Sequence, residues 1–104
     1  MKTRRVIVDP DAKEDLRDLY HWIVFSGSPA SALDYILRIQ DFIDGLDLAA
    51  ERGTALDDVD PGLRSIPFES VVIAIRVTDT AVAVVRLFHH SQDWLRQLQR
   101  DAET

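Results

Sequence analysis

Two strand-like segments in the second half of the chain, Val71–Val77 and Ala81–Phe88, are almost wholly aliphatic, yet each carries one arginine. A guanidinium buried without a partner is strongly destabilising. Arg76 and Arg86 must therefore reach an acidic partner or the protein surface. The two segments are expected to be neighbouring strands in which each arginine has a structural or functional role.

A short strand and a helix are predicted at the amino end. Arg4–Val8 is rich in β-branched residues and alternates weakly, as is typical of a strand. Asp9 can cap the following helix, and Pro10 suits its first position. The pattern predicts a helix to about Phe25 with one buried stripe: Ala12, Leu16, Leu19, Tyr20 and Ile23. Acids that complement the positive end of its dipole are Asp11, Glu14 and Asp15.

A second helix, forming a hairpin with the first, is predicted from Pro29 to about Ala50. Ser28 is placed to cap its start, and Gly53 to end it. The acidic stretch 54–61 that follows reads as a solvated loop. The apolar arc of this helix is wide enough to contact two neighbours: Ala32, Leu33, Ile36, Ile39, Phe42, Ile43 and Leu46.

Leu63–Phe68 precedes the two arginine-bearing segments, and the three together predict an antiparallel meander. Ser91 or Asp93 can cap a last short helix. The apolar residues of that helix are Trp94, Leu95 and Leu98. The order β-α-α-β-β-β-α predicts an α+β fold, in which a helical hairpin packs on a small antiparallel sheet.

The size of the chain, 104 residues, predicts one domain over residues 1–104. With 46% hydrophobic and 29% charged residues, the composition is that of an ordinary globular protein. The sequence has no apolar run long enough to cross a bilayer and no signal-peptide pattern, so we expect a cytoplasmic protein without membrane contact. It also has no cysteine, which excludes disulfides and thiolate chemistry.

The net charge of −6 is concentrated in the middle of the chain. Residues 9–61 hold thirteen acids and four bases, whereas residues 62–104 hold five of each. Proteins that bind nucleic acid directly usually present a basic stripe. Direct binding to nucleic acid is therefore not expected.

Two clusters of potential metal ligands also have simpler explanations. His89 and His90 are adjacent on a predicted strand, so their side chains point to opposite faces. The acidic run Asp57-Asp58-Asp60 lacks the spacing and closing glutamate of a calcium loop. No metal site and no cofactor are predicted.

Trp22 and Phe25 lie roughly 100–180° around the first helix from its buried stripe. They could pack against the second or the last helix. Alternatively, an amphipathic partner helix could cover them in a groove between the two predicted helices.

The sheet arginines likewise allow two interpretations. Arg64, Arg76 and Arg86 could be structural, with their heads paired to acids of the helices, or they could bind a target. A two-residue turn at Asp79-Thr80 would place Arg76 and Arg86 on opposite faces of the sheet, and a three-residue loop would place both on one face.

The element order and several motifs resemble the ParE/RelE superfamily of bacterial toxins, and most closely its ParE branch. In the first half the resemblance rests on Asp9-Pro10-Asp11-Ala12, Asp15-Leu16, Trp22-Ile23 and Ser28-Pro29-Ala30-Ser31-Ala32. In the second half it rests on Gly53, Pro61-Gly62-Leu63-Arg64-Ser65, Pro67-Phe68, Val72-Ile73, Arg76-Val77, Val84, Arg86 and His89. It covers nearly the whole chain.

This resemblance implies the toxin of a type II toxin–antitoxin module, which inhibits DNA gyrase by protein contact and forms a hetero-oligomer with a ParD-like antitoxin. It implies no enzymatic activity, no catalytic residue, and no nucleic-acid binding except through the antitoxin. We expect contact with the antitoxin at Trp22, Phe25 and Phe42. The residues expected to contact gyrase are Arg64, Arg76, Arg86 and His89.

Two alternatives remain open at this point. A RelE-like ribosome-dependent ribonuclease is disfavoured because that branch uses a tyrosine near the C-terminus, and the tyrosines here, Tyr20 and Tyr35, lie in the predicted helices. The second alternative is an inactive member of the family that only binds an antitoxin. It is suggested by departures from the ParE pattern at Val71, Ile75 and Gln92.

Overall fold

A computed structural model describes residues 3–89 and 93–103. Its elements are β1 (Arg5–Val8), α1 (Pro10–Ser26), α2 (Pro29–Asp44), a 3₁₀ turn (Gly45–Asp47), β2 (Thr54–Ala55), β3 (Leu63–Phe68), β4 (Val71–Val77), β5 (Ala81–His89) and α3 (Trp94–Glu103). The predicted α+β order is confirmed. The segment predicted as a loop contains one additional element, the two-residue strand β2.

The helical hairpin has the predicted connection but a shorter second helix. The Ser28 side chain accepts a hydrogen bond from the backbone N–H of Ser31 at 3.1 Å, as its capping position predicts. The expected extension of α2 to Ala50 is wrong, because the helix ends at Asp44 and Gly45 begins the 3₁₀ turn. Glycine is a poor helix former, and the tighter turn that follows buries Leu46 completely.

The sheet has the strand order β1-β5-β4-β3-β2. Strands β3, β4 and β5 form the predicted antiparallel meander. The strand β1, whose pairing the sequence left open, adds to this antiparallel meander as a parallel neighbour of β5, through Arg5↔Ala81 to Val8↔Val84. The helical hairpin and the strands that follow it form the long connection that parallel neighbours require.

A bulge in β5 places Arg76 and Arg86 on one face of the sheet. Arg76 pairs with Ala83, and Ala74 pairs with Arg86, with the irregularity between Ala74 and Ile75. Paired residues lie on the same face of a sheet, and so do residues two apart on one strand, so Arg76, Ala74 and Arg86 share a face. Because Ile75 pairs with Val84 while Ala74 pairs with Arg86, Val85 is the extra residue of the bulge. The turn has the two central residues Asp79-Thr80, closed by the Thr78 N–H on the Ala81 carbonyl. The bulge reverses the placement that this turn alone predicts.

Helices cover both faces of the sheet. The larger core packs α1 and α2 against one face, and its members with the lowest exposure include Ala12, Ile39, Leu46, Ile73, Ile75, Val82 and Val84. The smaller core lies beneath α3 on the other face and consists of Leu63, Ala74, Phe88 and Leu98. The first face holds most of the stripe predicted for α1, and the second face holds both arginines of the bulged pair.

Gly53 is required where the chain enters β2, and we expect Gly53→Ala to lower the free energy of unfolding by roughly 3 kcal/mol. Its φ is +79°, and an added Cβ would lie 2.3 Å from the Ser65 carbonyl oxygen. Gly45→Ala is the control, because its Cβ meets nothing within 4 Å and its backbone is helical. Urea denaturation should show near-wild-type stability for Gly45→Ala. Equal stability of the two variants would contradict the strain at Gly53.

Candidate interaction surfaces

Arg86 joins three elements through two carboxylates. Its Nε and Nη2 donate to the two oxygens of Asp15 on α1 at 2.8 and 3.2 Å. Its Nη1 donates to Asp101 on α3 at 3.0 Å. The guanidinium carbon also lies 4.9 Å from the centre of the Phe88 ring. The hydrogen bond to Asp15, followed by the charges of both acids, raises the pKa of Arg86 above its ordinary value despite partial burial.

Asp15 also covers the edge of β5 beyond its last pairing with β1. β1 reaches only Val84 on β5, and α1 crosses the edge beyond that point. The backbone N–H of Leu87 donates to Asp15 Oδ2 at 2.9 Å. The sequence indicated Asp15 only as an acid near the helix start. Its second role could not be found from local pattern, because Asp15 and Leu87 are 72 positions apart.

The other two predicted arginines lie apart from this network. Arg76 forms an ion pair with Asp60 and is 43% exposed. Arg64 pairs across the sheet with Ile75, on the face that packs against α1 and α2, and its Nε donates to the Arg52 carbonyl at 2.8 Å. The structure therefore brings Arg76 and Arg86 to one face and separates Arg64 from both.

A cavity of about 310 Å³ lies between α1 and the ends of β4 and β5. Its lining comprises Asp15, Asp18, Leu19, Trp22, Val71, Leu87, Phe88 and His89. The Trp22 and His89 rings meet edge to face, with centroids 4.3 Å apart. The structure thus brings together one residue expected to contact the antitoxin and one expected to contact gyrase. Trp22 is not among the residues that line a separate cavity between α1 and α2, which include Lys13, Leu16, Gln40 and Ile43.

Apolar side chains remain exposed on both helices of the hairpin. Phe25 is 94% exposed and Trp22 is 54% exposed, so neither is absorbed by the interior, and the alternative of internal packing is wrong for them. Leu33 and Leu37, one turn apart on α2, are 53% and 54% exposed, although Leu33 was expected to pack. Single exposed leucines are common on soluble proteins, whereas exposed aromatic residues such as Phe25 and Trp22 are of the type enriched at interfaces.

Phe42 differs from the two exposed aromatic residues. Its ring lies 4.7 Å from that of Phe68 and packs against the larger core. The Arg52 guanidinium lies 5.0 Å from its centre. Phe42 is therefore partly covered within the chain and does not adjoin Trp22 in the cavity beside α1.

Two departures from the ParE pattern lie in the core. Val71 and Ile75 are 2% and 0% exposed. Their aliphatic side chains fill the larger core beneath the helices. The third departure, Gln92, and the second histidine, His90, lie outside the described residues. Among the residues that are described, no three or more potential metal ligands come together.

Comparison with known proteins agrees with this architecture. The family model of the ParE toxin of the type II toxin-antitoxin system, parDE, matches residues 6–94. The chain belongs to the ParE toxin family. A solved structure, described as the chromosomal ParDE TA system from P. aeruginosa, is similar to the ParE-family chain with a TM-score of 0.73 and 21% identity. The similarity covers 84% of this chain and 96% of that one.

A search of curated proteins finds no match. The family match confirms the resemblance to the ParE branch, and the structural similarity confirms the fold. Over residues 3–89 and 93–103, no helix of this ParE-family protein is long and apolar enough to cross a membrane.

Proposed function

We propose that this ParE-family chain inhibits DNA gyrase by protein contact and is neutralised by a ParD-like antitoxin in a hetero-oligomeric complex. The exposure of Phe25 and Trp22 on α1 is the observation that carries the proposal. Large aromatic side chains contribute strongly to binding when a partner removes them from water. The family membership supports a toxin of a type II toxin–antitoxin system, and gyrase as its target is part of the proposal.

The antitoxin contacts Trp22 and Phe25 in this proposal, and Leu33 and Leu37 are further exposed apolar side chains on α2. An amphipathic helix of the antitoxin, with its apolar face against these side chains, suits such a surface. Phe42 contributes through its exposed edge, because its ring already packs on Phe68.

In this proposal gyrase contacts side chains on both faces of the sheet: Arg76 lies on the face beneath α3, whereas Arg64 and His89, which pair with Ile75 and Val71, lie on the other face. Arg86 belongs to it mainly as a positioning residue, since two carboxylates already hold its guanidinium. Asp15 accepts hydrogen bonds from Arg86 and from the Leu87 N–H, so its oxygens are engaged in structure. We assign Arg64, Arg76 and His89 to contact with the target and Arg86 to positioning, and none of them to proton transfer.

Induced expression in a bacterial host tests the proposal. Growth should arrest, and co-expression of the antitoxin encoded next to the gene should restore it. Primer extension on RNA from the arrested cells should show intact transcripts. Cuts at codon-spaced positions would contradict the proposal in favour of a ribonuclease, and normal growth with soluble, folded protein would contradict its toxicity.

A further inference from the structure

We infer that the cavity between α1 and the ends of β4 and β5 binds an arginine side chain of the antitoxin, with its guanidinium beside the Trp22 indole and paired with Asp18. The inference deepens the proposed function and rests on it for the identity of the partner. The geometry of the cavity can nevertheless be tested with a small arginine derivative. The volume of about 310 Å³ is at the low end for ligand sites, which suits one side chain.

The two carboxylates of the cavity differ in what they can still bind. Asp15 is occupied by Arg86 and by the Leu87 N–H. Asp18, one turn further along α1, is exposed. No hydrogen bond or ion pair joins Asp18 to any residue in the described part of the chain. Asp18 is therefore the carboxylate in the cavity that is available to a cation.

Trp22 lies one turn beyond Asp18 on the same side of α1 and lines the same cavity. Its ring stands at 72° to that of His89, and the residue as a whole is 54% exposed. Tryptophan is the aromatic residue that attracts cations most strongly, and a planar guanidinium can both stack on it and pair with a carboxylate. The apolar part of the lining, Leu19, Val71 and Leu87, can pack against the aliphatic part of the arginine side chain.

The surroundings of the cavity favour a basic partner. Asp11 and Glu14 are exposed on the same side of α1 as Asp18, because the three acids follow one another at spacings of three and then four residues. Residues 9–61 carry thirteen acids and four bases. A field of this sign draws in a basic segment and repels an acidic one. Charge complementarity thus selects an arginine-bearing antitoxin segment as the occupant.

Nuclear magnetic resonance titration with N-acetyl-L-arginine amide tests the cavity without the antitoxin. The indole N–H signal of Trp22, distinguished from that of Trp94 with a Trp94→Phe variant, should shift saturably. N-acetyl-L-citrulline amide, its neutral analogue, should give no saturable shift. Asp18→Asn should weaken arginine binding about tenfold, the loss expected for one charge-assisted hydrogen bond.

Asp41→Asn is the matched control, since Asp41 is exposed on α2 outside the cavity and the substitution changes the net charge equally. It should leave binding of the arginine derivative unchanged. Absence of a saturable shift at Trp22, or equal weakening by both variants, would overturn the inference.

Calorimetry with the antitoxin encoded next to the gene gives the second test. Asp18→Asn should lower antitoxin affinity about tenfold and reduce its dependence on salt, whereas Asp41→Asn should leave affinity nearly unchanged. An antitoxin that does not bind the wild-type chain would refute the proposed partner, while the arginine titration would still decide the chemistry of the cavity. Antitoxin binding that is indifferent to Asp18→Asn would refute the inference alone.

Discussion

Asp15→Ala should lower the free energy of unfolding by about 3 kcal/mol, the low end of the range for breaking a buried ion pair from one side. The Asp15 and Arg86 side chains are 15% and 21% exposed, so solvent cannot fully replace the lost contact. The substitution also leaves the Leu87 N–H without its acceptor. Thermal unfolding should shift downward by roughly 15 °C for a domain of this size.

Two comparisons separate the loss of the Asp15–Arg86 ion pair from the loss of the hydrogen bond between Asp15 and the Leu87 N–H. Asp34→Ala removes an exposed pair with Arg38 on α2 and should cost less than about 1 kcal/mol. The double variant Asp15→Ala/Arg86→Met removes both charges and should recover part of the loss, because no guanidinium is left without its main partner. An Asp15→Ala protein as stable as Asp34→Ala would contradict the structural role of this network.

Trp22→Ser combined with Phe25→Ser should weaken antitoxin binding at least 100-fold, roughly the loss of two aromatic anchors at an interface. Both side chains are exposed in the free chain, so the stability of the toxin should change little. Calorimetric titration with the proposed ParD-like antitoxin measures the affinity. In cells the antitoxin should no longer restore growth.

Leu48→Ser provides the control for this double variant. Leu48 is 51% exposed after the 3₁₀ turn, away from α1, and the substitution removes a similar kind of apolar surface. It should leave antitoxin affinity within about twofold. A double variant that retains wild-type affinity would show that the antitoxin binds elsewhere.

Local pattern in the sequence was sufficient for most of the fold. The Ser28-Pro29 start of α2 and most of the apolar stripes of α1 and α2 follow from capping and periodicity, and the structure confirms them except at Leu33, which is exposed. The parallel placement of β1 could not be predicted in this way, because pairing between distant strands is set by tertiary packing. The bulge at Val85 could not be predicted from the sequence either, since the turn chemistry of Asp79-Thr80 determines only the register near the turn.

The candidate site was predictable in kind but not in detail. Helical geometry indicated that Trp22 and Phe25 leave the buried stripe, and both are exposed. The need for acidic partners of the sheet arginines was also predictable, but the choice of Asp15 for Arg86 joins residues 71 positions apart. The separation of Arg64 from Arg76 depends on the pairing of β3 with β4.

A supercoiling assay with purified DNA gyrase tests most directly whether this ParE-family chain inhibits the enzyme by direct protein contact. Relaxed plasmid, gyrase and ATP are combined with increasing amounts of the chain, with and without the antitoxin. Inhibition by direct contact with gyrase predicts a dose-dependent loss of supercoiling or accumulation of cleaved plasmid, and antitoxin should abolish both. Normal supercoiling at a saturating concentration of folded chain would contradict it.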